Sequence, residues 1–285
     1  MKKIVFLLTL LAFIFTGCPK VTDEEREVVI YFTSKSFSNP VLLPIATNTE
    51  NAIQKIILFG VDDQNNIKIF PVITDLSSSG VILSISKKIK SFYAIANPSS
   101  DIESANLSNA SALIDIISDF SNAPDSPFLM SGKADINIID DSITIELVKA
   151  VAKIRISSGN DFKISSVTVM NTSAKGYVFP KTPFSVPDKK INYPEITAST
   201  PTFYVAENTT VSPTKFVVNG QFMGQQVSYT IEQLTSNGEP VNIVRNHYYE
   251  VTITPSEYDC SITLSILDWI DVPVDNHIIP DENFQ

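Results

Sequence analysis

Between residues 28 and 274 the chain is built from short runs of β-branched, aliphatic and aromatic side chains, punctuated by clusters of Asn, Asp, Ser and Pro. The runs include VVIYF at 28–32, IQKIILFGV at 53–61, IKIFPVI at 67–73, SFYAIA at 91–96, KISSVTVMN at 163–171, FYVAEN at 203–208, TKFVVNGQFMG at 214–224 and HYYEVTITP at 247–255. A helix that buries one face needs apolar residues at three- and four-residue spacing sustained over several turns, and these runs are too short for that. Each is long enough to be one strand. The pattern predicts an all-β fold, with turns made by Asn, Asp, Ser and Pro more than by the nine glycines. Asp62-Asp63-Gln64-Asn65-Asn66, between two runs, reads as a hairpin connection.

One segment departs from the pattern. In SNASALIDIISDF at 108–120, Ala110, Leu113, Ile114 and Ile117 follow helical spacing and Ser108 is a suitable N-cap, which predicts one short helix packed on a sheet. The run ITIELVKAVAKIRISS at 143–158 is too long for a single strand and predicts a bend within it. A chain of 285 residues holds one large or two ordinary domains. A boundary inside the long run gives an N-terminal β-sandwich at 28–148 and a C-terminal one at 149–285. The hydrophobic fraction of 44% suits folded cores and excludes a disordered chain, and a net charge of −10 offers no electrostatic footprint for nucleic acid.

The first residues carry an address. Met1-Lys2-Lys3 is followed by an apolar run at 4–15, shorter than a bilayer-spanning helix, and the segment ends Phe15-Thr16-Gly17-Cys18. This resembles the lipobox of bacterial lipoproteins. The resemblance implies a signal peptide at 1–17 and acyl chains, palmitate among them, on Cys18. Several acyl chains bury enough CH₂ groups for stable attachment to a membrane surface outside the cytoplasm; the resemblance implies the outer membrane, with the protein exposed at the cell surface. Residues 18–27, polar and without apolar periodicity, read as a tether. With Cys18 lipidated, no second cysteine is left to form a disulfide with Cys260, which is expected as a small, buried or half-buried apolar residue.

Several segments together resemble the fimbrillins, the two-domain lipoprotein subunits and anchors of fimbriae in Gram-negative anaerobes. They are the lipobox followed by a lone strand (VVIYF), FLMSGKADI with ITIELVKAVAKIRI, FYVAENTT, VRNHYYEVTIT, and the closing ITLSILDWIDVPV with its single Trp269. The resemblance implies two transthyretin-like β-sandwich domains, a strand through Ala150 to Ile156 opening the second, a role in fimbriae (pili) and cell adhesion, and other fimbrial subunits as partners in a homo- or heteropolymer, with host or bacterial surface ligands beyond them.

It also implies assembly by donor-strand exchange, in which the first strand is removed and the C-terminal strand of a neighbour fills the groove. Val28, Ile30 and Phe32 alternate on one face of the strand to be displaced. Ile262, Leu264, Ile266, Ile270, Val272 and Val274 share one parity in a candidate donor strand at 261–274, interrupted only by Asp268. Alternation alone favours edge strands of one molecule, and it is the resemblance that favours exchange. Fimbrillins are cleaved at an arginine after the first strand, and residues 33–50 contain none; Lys35 is the only basic residue there and the candidate processing site. Arg26 precedes the strand. A lysine-cutting or other protease, an uncleaved anchor, or departure from the assembly pathway are the three readings that remain.

No catalytic constellation is found in the sequence. G-x-S-x-G, H-E-x-x-H, G-x-G-x-x-G and P-loop patterns are absent, no cofactor is called for, and His247 and His277 have no local support as bases. Asp62-Asp63 and Asp140-Asp141 are explained by turn chemistry, and 62–66 lacks the closing carboxylate of a calcium loop. The alternative of another class is a surface lipoprotein that binds glycans for a nutrient-uptake complex, with Tyr248, Tyr249 and Trp269 as its aromatic platform.

Overall fold

Alternating β-branched and polar side chains bury one row and leave the other to solvent when backbones pair, and this is how the runs fold. The computed structural model describes residues 24–34, 47–76, 80–103, 107, 109–159, 161–257 and 260–269. The first half contains β1 (Glu25–Ser34), β2 (Ile56–Asp62), β3 (Ile67–Ile69), β4 (Val81–Ser86), β5 (Ile89–Ala96), α1 (Ser100–Glu103), α2 (Ala110–Ile114), β6 (Ile117–Asp119), β7 (Met130–Asp135) and β8 (Ser142–Lys149). The second contains β9 (Val151–Ser158), β10 (Lys163–Met170), β11 (Thr172–Ser173), β12 (Lys175–Tyr177), β13 (Lys190–Ile191), β14 (Thr202–Ala206), β15 (Lys215–Phe222) and β16 (Gln225–Ile231). It closes with β17 (Thr235–Ser236), β18 (Glu239–Pro240), β19 (His247–Pro255) and β20 (Cys260–Asp268). The protein is all-β.

Seven strands of the first half form one ladder in the order β3-β2-β5-β7-β8-β1-β4. β8 changes partner along its length: residues 142–147 run parallel to β1, while Val148 and Lys149 pair with Ser131 and Met130 of β7. The ladder curls there, so that Val28 and Ile30 of β1 share one core with Ile56, Leu58, Phe92 and Ile145. Gly132 lies where β7 meets β8. A Cβ at that position would stand 2.2 Å from the Glu146 carbonyl oxygen, so the close approach requires glycine. In the second half, the sheets β14-β9-β19-β20 and β10-β15-β16 enclose a separate core of Ile154, Val167, Phe203, Phe216, Val251 and Ile253.

The bend expected within residues 143–158 falls at Ala150, between β8 and β9. The helix expected over 108–120 is much shorter. Only Ala110–Ile114 is helical, capped by Asn109, whose side chain accepts the Ala112 N–H at 2.9 Å; Ser108 lies outside the described residues. Ile117–Asp119 instead pair with Lys175–Tyr177 as β6 against β12, because cross-strand hydrogen bonds to a distant segment outweigh a weak helical pattern. The first strand starts earlier than expected: β1 begins at Glu25, inside the segment expected as a tether, since Glu25, Arg26 and Glu27 pair with Ser86, Ile85 and Ser84; residues 18–23 lie outside the described residues.

Residues after β12 weld the halves together. Val178 and Phe179 pack on Ile57, Phe59, Ile95 and Leu113, with Phe179 meeting Tyr93 edge-on at 5.3 Å between ring centroids. The buried Arg245 guanidinium donates to the Val178 and Tyr177 carbonyls at 2.7 and 2.6 Å and to Glu207 at 2.6 Å.

Candidate functional site

The first strand is an interior one. Residues 25–30 pair antiparallel with β4 and residues 29–34 parallel with β8, and β1 is the only ladder partner of β4 among the described residues. Val28 and Ile30 are fully buried, Phe32 is half-buried against the same core, and Tyr31 on the other face is 38% exposed. Taking β1 away would leave unpaired backbone groups on β8 and β4 and open a trough lined by Ile85 and Ile145. Arg26 lies within the ladder, and its guanidinium donates to the carbonyls of Asp140 and of Asn137, the latter at 2.7 Å. Cys18 and Lys35 lie outside the described residues.

The last strand has the opposite character. β20 is an edge strand, paired with β19 through an unbroken register from Pro255↔Cys260 to His247↔Asp268. Ile262 is 44% exposed, while Leu264, Ile266 and Cys260 are half-buried against the second core. Ile270, Val272 and Val274 lie outside the described residues.

Trp269, the residue after this strand, is expected from the sequence in a glycan platform, and the structure corrects that. Trp269 is fully buried, stacked on Tyr204 at 5.5 Å and edge-on to Phe128 at 5.6 Å, in a cluster with Phe120, Ala150, Ala206 and Tyr248 drawn from both halves. Tyr248 and Tyr249 are buried as well, and the Tyr249 hydroxyl accepts the Val244 N–H and donates to the Asn242 carbonyl. Trp269 and Tyr248 at the junction and Tyr249 in the second core are consumed by packing and leave no face for a sugar.

Around the indole lies a set of ionic side chains with no local sequence signal. The ammonium groups of Lys149 and Lys153 stand 5.0 and 5.4 Å from the Trp269 ring centroid. Lys153 pairs with the buried Glu50 at 2.7 Å, and Glu50 also accepts from the Tyr204 hydroxyl and the Thr47 amide. Burial alone would raise the Glu50 carboxyl, but hydrogen bonds from Lys153, Tyr204 and Thr47 and the Lys153 charge outweigh it, and the net shift is downward. Burial, followed by the Glu50 carboxylate, pushes the Tyr204 hydroxyl up. The acidic pairs noted in the sequence do turn work. Asp62 accepts the amides of Gln64 and Asn66 at 2.8 Å, and Asp140 accepts the Asn137 amide at 2.7 Å. No group of three or more His, Cys, Asp and Glu is arranged to hold a metal among the described residues.

The model of the family described as fimbrillin-A associated anchor proteins Mfa1 and Mfa2 matches residues 87–274, well over half of the chain. The chain belongs to this family. Its role is that of a fimbrial subunit or anchor, associated with other fimbrial subunits at the cell surface. No curated protein matches the sequence. Solved structures share the fold. A protein assigned to cell adhesion in Bacteroides eggerthii superposes with a TM-score of 0.64 at 16% identity, over 88% of this chain and 98% of that one. The tip fimbrial protein Mfa3 of Porphyromonas gingivalis gives 0.63 at 13% identity, over 86% and 100%. Fimbrilin FimA of the same organism gives 0.56 at 12%, over 86% and 97%.

Proposed function

We propose that this chain is a lipid-anchored member at the base of a fimbrium, held to the outer membrane through Cys18 and joined to the next subunit by donating its C-terminal strand. The observation that carries this reading is the position of β1, an interior strand whose loss would open the groove. The proposed lipid sits on the same peptide, just ahead of that strand. One molecule cannot both lose β1 to open its groove and stay covalently attached to the membrane. An anchored subunit therefore keeps β1 and can act only as donor.

The Arg26 contacts support the same conclusion, because a protease must draw a peptide into extended form and Arg26 is paired on its backbone and bonded through its guanidinium. The edge position of β20 and its half-buried face suit a strand that leaves one partner for another. In this reading the two sandwiches at 28–148 and 149–285 are transthyretin-like, Lys35 goes uncut, and the chain is a structural protein without catalysis.

The test is the N-terminus of the protein recovered from cell surfaces. The expected product begins at acylated Cys18 and floats with membranes. A mature start at or beyond Ser36 would refute the anchor reading and make the chain a polymerising subunit that accepts a donor.

A further inference from the structure

The turn joining β7 to β8 carries two isoleucines where a turn has no use for them. Asn137 and Asp140 close it, with the Asp140 N–H donating to the Asn137 carbonyl at 3.1 Å and the Asp140 carboxylate accepting the Asn137 N–H. Ile138 and Ile139 occupy the two central positions, 56% and 83% exposed. Turn centres favour Gly, Pro, Asn, Asp and Ser, and β-branched residues there add nothing to the local backbone. Two adjacent, solvent-facing isoleucines at a hairpin tip thus call for a partner.

Where the tip sits says which partner. Arg26, in the second position of β1, donates to both closing residues of the turn, and the Val29 amide donates to the Asp141 carbonyl at 2.9 Å. The tip therefore adjoins the start of β1. Only six peptide steps separate Glu24 from Cys18, a reach of at most about 20 Å. The same end carries the turn after β4, where Lys87 pairs with Glu24 at 2.6 Å. The opposite end of β8 leads through Ala150 into the second half, so the tip points away from that half and from β20.

We propose that Ile138 and Ile139 are a membrane-seating tip that inserts into the lipid surface beneath the anchored protein and holds the long axis of β8 upright, with the C-terminal half outward. This rests on the proposed lipid at Cys18. A single flexible tether fixes distance and leaves tilt free; a second, apolar contact beside it removes much of that freedom. The Arg26 guanidinium next to the turn sits at headgroup height, where phosphate oxygens can meet it.

The experiment uses the full acylated protein in phosphatidylethanolamine/phosphatidylglycerol vesicles, with Cys260→Ser and an environment-sensitive fluorophore on Ile139→Cys. The same probe on Val211→Cys, at a residue 92% exposed in the second half, is the reference. Bilayer quenchers are expected to dim the probe at 139 at least about twofold more than that at 211, with a blue-shifted emission. Equal quenching at the two sites overturns the proposal. So does a blue shift that follows protein concentration in buffer without lipid, which assigns the tip to a second copy. If protein from cells does not float, the lipid reading has failed by itself; protein made from residue 19 onward, held on the vesicles by an N-terminal hexahistidine and a nickel-chelating lipid, then still tests the tip by the same quenching ratio.

Discussion

Replacing Trp269 by alanine removes the side chain that fastens the end of β20 to the junction of the two halves. The indole is fully buried and touches Phe128 and Tyr204 from opposite sides of that junction. Burying an aromatic of this size removes about 150–250 Å² from water, which at about 25 cal/mol per Å² is roughly 4–6 kcal/mol. Truncations of buried aromatics cost about 3–5 kcal/mol, the cavity left behind included. Two terms adjust this. Loss of the contacts with the Lys149 and Lys153 ammonium groups adds about 0.5–2 kcal/mol each. The indole N–H, however, has no hydrogen-bond partner among the described residues, a buried donor that costs about 1–3 kcal/mol in the native state and vanishes with the side chain. The net expectation is about 3–5 kcal/mol for Trp269→Ala and within about 1.5 kcal/mol of neutral for Trp269→Phe, which keeps a ring and drops the donor. Urea unfolding followed by circular dichroism measures both, since the protein's only tryptophan is the residue replaced. Hydrogen exchange locates the effect: β20 amides should lose protection in the alanine variant before those of β9 and β14 do. An alanine variant within about 1 kcal/mol of the parent, or a phenylalanine variant as damaged as alanine, would refute the role assigned to the junction.

Other consequences are as direct. Glu50 holds its proton less readily when folded than its ordinary value of 4.5 implies, so its stabilisation is complete above that pH and drains away as pH falls through the lower folded value; Glu50→Gln should flatten that part of a stability-versus-pH curve, and an unchanged slope counts against the pairing. Leaving Lys153 buried without its carboxylate should also cost the Glu50→Gln variant about 3–5 kcal/mol at pH 7, read from urea midpoints. Gly132→Ala forces a methyl against the Glu146 carbonyl and should destabilise the first half by about 1–3 kcal/mol or prevent its folding, while alanine at Gly224, which meets nothing within 4 Å but has φ +81, should cost less in the same titration. Arg245→Met strands the buried Glu207 carboxylate and two carbonyls, and a loss of about 3–5 kcal/mol is expected in thermal or urea unfolding.

Strands were legible wherever side-chain alternation served pairing with any neighbour, as at Val28, Ile30 and Phe32. The sequence failed at residues 117–119, where the same isoleucine that continues a helical stripe pairs with Tyr177 instead, a partner no local window contains. It failed again at Tyr248, Tyr249 and Trp269, because an aromatic in or beside a strand looks the same whether it faces water, a core or the junction of two units. The ionic set around the indole brings together residues as far apart as Glu50 and Trp269, and its members carry no motif.

By itself the sequence determined the all-β class, a bend within residues 143–158, the turn role of Asp62 and Asp140, and the resemblance to fimbrillins, since each depends on periodicity or on side-chain chemistry acting within a few residues. Only the tertiary structure decided that β1 is an interior strand and β20 an edge, that Arg26 is tied to a turn more than a hundred residues away, and that the isoleucine tip lies beside the start of β1. Those are questions of which distant backbones pair and which side chains meet across them, and contacts of that range are set by the packing of the whole chain.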